Sequence, residues 1–110
     1  MNKIRLLLEY KTYPIWIYDE EGLVIDTDLP AEWNDDSSLD DLWNEVADFY
    51  DTLFIDNPKE FRFLGFKSLQ DKVKFADLVK RAKQATIIKN NGKYHIQDDI
   101  DVDRIPLSEH

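Results

Sequence analysis

Apolar and polar positions divide the chain into short β-like runs at the front and two helical stretches behind them. Ile4-Arg5-Leu6-Leu7-Leu8-Glu9-Tyr10 is largely apolar and is followed by turn-forming residues, which predicts a strand. Pro14-Ile15-Trp16-Ile17-Tyr18 predicts a second, with β-branched and aromatic residues after a proline that fits only at the strand's start. Asp19-Glu20-Glu21-Gly22 reads as a hairpin loop, since Gly22 can take the left-handed conformation that closes such loops. Leu23-Val24-Ile25-Asp26 is then a third strand, antiparallel to the second.

Helical spacing takes over after the polar loop that carries Trp33. Leu39, Leu42, Trp43, Val46, Phe49, Tyr50 and Leu53 fall on one stripe. Ser37 or Ser38 is the expected cap, and Asp40 and Asp41 suit the first turn, where the helix dipole favours anions. The helix should end near Phe54, before Asn57-Pro58. Phe61 to Phe66 predicts another strand. Ser68 with Asp71 resembles a capping signature for a second helix, with Leu69, Val73, Ala76, Val79 and Ala82 as its buried stripe and Phe75 and Leu78 beside it. Lys72, Lys80 and Lys83 should point outward. Thr86-Ile87-Ile88 and Tyr94-His95-Ile96 flank Asn90-Asn91-Gly92, which predicts a closing hairpin.

The expected architecture is therefore α+β: an antiparallel sheet of about four to six strands with two helices packed on one face. The element order is βββαβα plus the C-terminal hairpin. Residues 1–97 form a single domain, and the acidic stretch 98–110 is expected to be a loose tail.

Composition supports one globular unit. In 110 residues, 43% are hydrophobic and 13% aromatic, enough for a core and against general disorder. The run Leu6-Leu7-Leu8 is cut by Glu9, well short of a signal-peptide core, and the expected address is the cytoplasm. The net charge of -9 is unevenly distributed. Residues 1–61 hold 4 basic and 16 acidic side chains, residues 62–97 hold 9 basic and 2 acidic, and residues 98–110 hold 1 basic and 5 acidic. The front half would repel a phosphate backbone and attract a basic protein, so the expected partner is a protein, not nucleic acid or membrane.

Catalytic chemistry finds little support. There is no cysteine, and His95 and His110 are the only histidines. Gly22, Gly65 and Gly92 stand too far apart for a phosphate-binding loop. Asp26-Thr27-Asp28 places two carboxylates one residue apart after a strand, as haloacid-dehalogenase-type phosphatases do, but no αβ repeat follows. Asp99, Asp101 and Asp103 imitate the start of an EF-hand loop, yet Arg104 stands where glycine is needed and His110 where a bidentate glutamate is needed. The chain is read as a non-enzyme with no cofactor and no metal.

Binding chemistry is better represented. Asp19, Glu20 and Glu21 crown the hairpin, and Asp35 and Asp36 precede the first helix. Asp41, Glu45 and Asp48 share an exposed helical face at i, i+4 and i+7. Trp33, inside the acidic loop, is the candidate aromatic anchor for a cationic partner, unless it folds back to close the core. Lys72, Lys74, Lys80, Arg81 and Lys83 make the second helix basic, either to balance the acidic half within the fold or to pair with another protomer.

Tyr13-Pro14-Ile15-Trp16, Asp19 to Asp26, Leu29-Pro30, Phe54-Ile55-Asp56-Asn57 and Gly65-Phe66 resemble segments of small immunity proteins from bacterial polymorphic-toxin systems. The resemblance covers roughly the first 85 residues and carries over no catalytic residue. It implies a protein that binds a cognate toxin, often a nuclease with a basic cleft, and occludes its active site. Two other readings stand beside it: an adaptor or homo-oligomeric module, suggested by the opposed charges of the two halves, and a small metal-dependent hydrolase using Asp26 and Asp28.

Overall fold

The computed structural model describes residues 2–108; the expectations for His110 and the last residues of the tail lie outside them. The fold is α+β. Three short strands open it: β1 (Lys3–Leu6), β2 (Ile15–Tyr18) and β3 (Val24–Thr27). After a single 3-10 turn, Ala31–Trp33, come α1 (Ser37–Asp51), the strands β4 (Phe54–Asn57) and β5 (Glu60–Phe63), the long helix α2 (Leu69–Asn90) and β6 (His95–Asp98).

β1, β2, β3 and β6 form one sheet in the order β3-β2-β1-β6, and β4 and β5 form a separate hairpin. β1 and β2 pair antiparallel, as do β2 and β3, whereas β6 lies parallel to β1 with Ile4 opposite Ile96. The four-stranded sheet is therefore mixed. Alternation sends Ile4, Leu6 and Ile15 to the helix-covered face, where they join Trp43, Val46, Phe75 and Ala82 in the core. On the opposite face Lys3 lies 4.3 Å above the Tyr18 ring, and Arg5 pairs with Asp99 at 2.6 Å.

Four local expectations change. The N-cap of α1 is Asp36, not Ser37 or Ser38: its carboxylate accepts from the Leu39 amide at 3.0 Å. An ionised cap also favours the helix dipole, which a serine hydroxyl does not. The chain after α1 turns directly into β4, which pairs with β5, placing Phe54 opposite Phe63 and Asp56 opposite Phe61. Asn57 makes the turn, its side-chain oxygen accepting from the Lys59 and Glu60 amides.

The third change is in α2, which continues through Thr86-Ile87-Ile88 instead of yielding to a strand. Thr86 is buried and hydrogen-bonded inside the helix pair, so tertiary packing overrides its β-branched preference. Asn91, at φ 46°, and Gly92, at φ 79°, end the helix in left-handed conformations. The residue types that favour a hairpin turn are the ones that terminate a helix. The buried stripe also rotates: Phe75, Leu78, Val79 and Ala82 face inward, while Leu69 and Val73 are exposed.

The fourth is the tail, which through Ser108 packs against the body. Ile100 and Val102 belong to the core, Lys83 reaches Asp98 at 2.9 Å, and Phe66 bridges Leu107 in parallel. Gly65, at φ 85°, permits that approach, because a Cβ there would overlap the Pro106 carbonyl.

Candidate protein-docking surface

The β4–β5 pairing puts Phe54, Asp56, Phe61 and Phe63 on one face of the hairpin. Tyr50 from the last turns of α1 and Tyr10 from the β1–β2 loop pack against them. Tyr10 lies 4.6 Å from Phe54 and 5.0 Å from Phe61, ring centre to ring centre. Phe54 stacks on Phe61 at 5.5 Å and meets Phe63 at 5.0 Å and Tyr50 at 5.3 Å. This slab is not closed over. Phe61 keeps 58% of its surface exposed and Phe63 38%. Exposed rings held by other rings lose little side-chain freedom on contact, which suits an interface anchor.

Carboxylates border the slab. Asp56 accepts from the Tyr10 hydroxyl at 2.9 Å and lies 3.7 Å from Lys11 Nζ. Asp51 accepts from the Lys11 amide at 2.9 Å. Partial burial, then the charges of Glu9 and Asp51, raise the Tyr50 hydroxyl above the usual phenol range. Farther along, Tyr13 donates to Asp40 at 3.0 Å, and its burial followed by that bond pushes its hydroxyl well upward. These contacts lay the β1–β2 loop alongside α1 from Asp51 to Asp40. Asp41, Glu45 and Asp48 are exposed, and none has an ion-pair partner among the described residues.

The other nominated residues divide. Glu20 and Glu21 are exposed at the β2–β3 turn, while the Asp19 carboxylate holds that turn, accepting from the Glu21 and Leu23 amides at 2.9 Å each. Asp35 is exposed. Asp36 is committed internally as the α1 cap and lies 3.4 Å from Lys89, which together hold its carboxyl below the usual range. Trp33 is not an anchor. It is 3% exposed, with its ring edge against Tyr94 at 5.7 Å, because the 3-10 turn folds it into the core. Burying an aromatic of that size favours the fold by roughly 2–3 kcal/mol, more than a solvated position would return.

Phe54, Phe61 and Phe63 are the residues that the sequence pattern did not nominate. Their signal was the alternation Phe61-Arg62-Phe63 next to an Asn57-Pro58 turn, which places both rings on one strand face. The basic residues of α2 are partly occupied within the fold. Lys83 reaches Asp98 and the Ile100 carbonyl, Arg81 pairs with Asp77, and Lys72 donates to the Asp103 carbonyl.

Asp26 and Asp28 each accept from the following residue's amide, at 2.8 and 2.7 Å. Among the described residues, no three His, Cys, Asp or Glu side chains converge to hold an ion, and no helix is long and apolar enough to cross a membrane. The fold is that of an α+β protein with an exposed aromatic hairpin and a separate row of exposed carboxylates on α1. No family model matches the chain, and no curated protein matches it.

Proposed function

We propose that this chain is a non-catalytic immunity protein that binds a cognate bacterial toxin and occludes a basic cleft. The observations that carry the reading are the exposed Phe61–Phe63 slab and, on α1, the exposed carboxylates of Asp41, Glu45 and Asp48, which have no ion-pair partners among the described residues. The exposed rings supply slow release once they are desolvated, and the chain's negative charge speeds encounter with a cationic surface. Ion pairs inside the fold occupy Arg81, Lys83 and Lys89 of α2, and of the front-half carboxylates Asp36 is spent in this way while Asp41, Glu45 and Asp48 are not. The sequence resemblance points the same way.

The test is co-expression with the product of the adjacent reading frame. Neutralisation of a growth defect, together with a complex that survives gel filtration, supports the reading. A toxic neighbour that this chain neither binds nor neutralises removes it.

A further inference from the structure

β5 pairs with β4 alone, and all four of its residues are exposed. Its register against β4 is regular, with no bulge. The Leu64 amide donates to the Leu53 carbonyl at 2.7 Å, which makes Leu53–Leu64, Ile55–Arg62 and Asn57–Glu60 the hydrogen-bonded pairs of the ladder. Phe61 and Phe63 therefore turn their N–H and C=O groups away from β4, and among the described residues no main-chain group bonds to them. A two-stranded hairpin is marginal by itself, and an edge of this kind is a template for a further strand. Two charges stand inside the strand, Glu60 and Arg62. They share the face opposite the Phe61 and Phe63 rings and lie 3.7 Å apart. A charge on an edge deters a strand that sets like charge against it. Against an antiparallel copy of the same strand centred on Phe61, however, each Glu60 meets an Arg62 and each Arg62 a Glu60.

We propose that β5 is the edge through which two copies of this chain pair, antiparallel about a twofold axis at Phe61, so that the two hairpins join into one four-stranded sheet. At that centre the two Phe61 residues exchange main-chain hydrogen bonds, their rings meet across the axis, and a Glu60–Arg62 pair flanks it on either side. Charge selects this register. Centring on Arg62 sets that side chain against its own copy, and centring on Glu60 does the same for the carboxylate; like charges directly opposite are repulsive. Centring on Phe63 leaves Arg62 facing Leu64. Around the hairpin tip Lys59 and Arg62 offset Asp56 and Glu60, so this part of the chain escapes the negative excess that would keep two copies apart elsewhere. The pairing joins edges, so the aromatic face is doubled and stays open. It requires no toxin: self-association can fail while neutralisation succeeds, and the reverse.

The test is sedimentation equilibrium of the full chain at about 0.15 M salt, where net charge is screened beyond about 8 Å. One short strand and one ring a side make a small interface, so a dimer forming at about 0.1–1 mM protein is the expected result. Amide shifts that change with concentration should centre on residues 59–63. Glu60→Arg alone and Arg62→Glu alone each set like charges opposite, and each should weaken association at least about tenfold. Glu60→Arg with Arg62→Glu in one chain should restore it, and so should an equimolar mixture of the two single variants. Both positions are exposed on the hairpin, and circular dichroism checks that each variant keeps the fold. A wild-type chain that stays monomeric at about 1 mM overturns the proposal, as does a dimer that either single variant leaves intact. Shifts centred elsewhere overturn it too, and so does a loss that neither the double variant nor the mixture restores.

Discussion

The Trp43 indole N–H donates to Thr86 Oγ1 at 2.8 Å, and the Thr86 hydroxyl donates in turn to the Ala82 carbonyl at 2.8 Å. Both side chains are fully buried, so this relay is a polar link inside the α1–α2 contact. Thr86→Val keeps the shape but leaves the indole proton without an acceptor, which should cost about 1–3 kcal/mol. Thr86→Ser keeps the acceptor and should cost about 0.8 kcal/mol for the lost methyl. Urea unfolding of both variants measures the difference. Equal stability of the two would mean that the bond contributes nothing.

Phe61 is the ring whose removal should separate binding from folding. Phe61→Ala should leave the chain folded but lower its stability by about 1 kcal/mol, through the lost contacts with Tyr10 and Phe54. It should weaken partner binding by about 1.4 kcal/mol or more, a tenfold loss, mainly through faster release. Glu45→Lys with Asp48→Lys should act on the other rate, slowing association and flattening its salt dependence. Surface plasmon resonance with the neighbouring gene product across a salt series reads both.

Acid should loosen the contact between the Trp33 turn and the segment after α2. Glu32 accepts from the Tyr94 hydroxyl and lies 2.7 Å from Lys93. The Lys93 bond, then the Tyr94 bond, lower its carboxyl from 4.5 to about 2, while burial and Glu32 raise the Tyr94 hydroxyl to about 12. A carboxyl depressed in the folded state favours folding above its unfolded value. That contribution is lost as pH falls from 4.5 toward 2. Lys93→Ala should narrow the gap from wild type progressively through that window, measured by urea unfolding at successive pH values. A gap independent of pH there contradicts the assignment.

Gly65→Ala should release the end of the chain. The substitution forces a side chain at φ 85° and drives its Cβ into the Pro106 carbonyl. That carbonyl accepts from the Phe66 amide at 3.0 Å, and Ser108 donates back to Phe66 at 2.6 Å. A destabilisation of at least about 2 kcal/mol is expected, with faster hydrogen exchange at the Phe66 and Ser108 amides. Unchanged exchange there would show that the strap does not depend on Gly65.

The acidic stripe of α1 was legible because helical spacing alone assigns Asp41, Glu45 and Asp48 to the side opposite Trp43 and Val46. The aromatic slab was harder to read. Phe54 looked like the end of a helix and Phe61 like the start of an isolated strand. Their shared face exists because β4 and β5 pair, and that pairing brings in Tyr10 from more than forty positions away. Trp33 illustrates the same limit from the other side. An aromatic in a polar loop satisfies an anchor and a core plug equally well until the packing around it is known.

Local pattern was enough to place β1, β2, β3, α1 and the start of α2, since each depends on periodicity and on turn or cap residues within a few positions. It was also enough to locate the acidic front half, which is a property of composition along the chain. It could not place β6 beside β1, carry α2 through Thr86, or fold residues 98–108 onto the body. Those outcomes depend on partners distant in sequence, Ile4 for Ile96, Trp43 for Thr86 and Phe66 for Leu107. Burial and pairing energies realised only on assembly outweigh the weak local preferences of the residues involved.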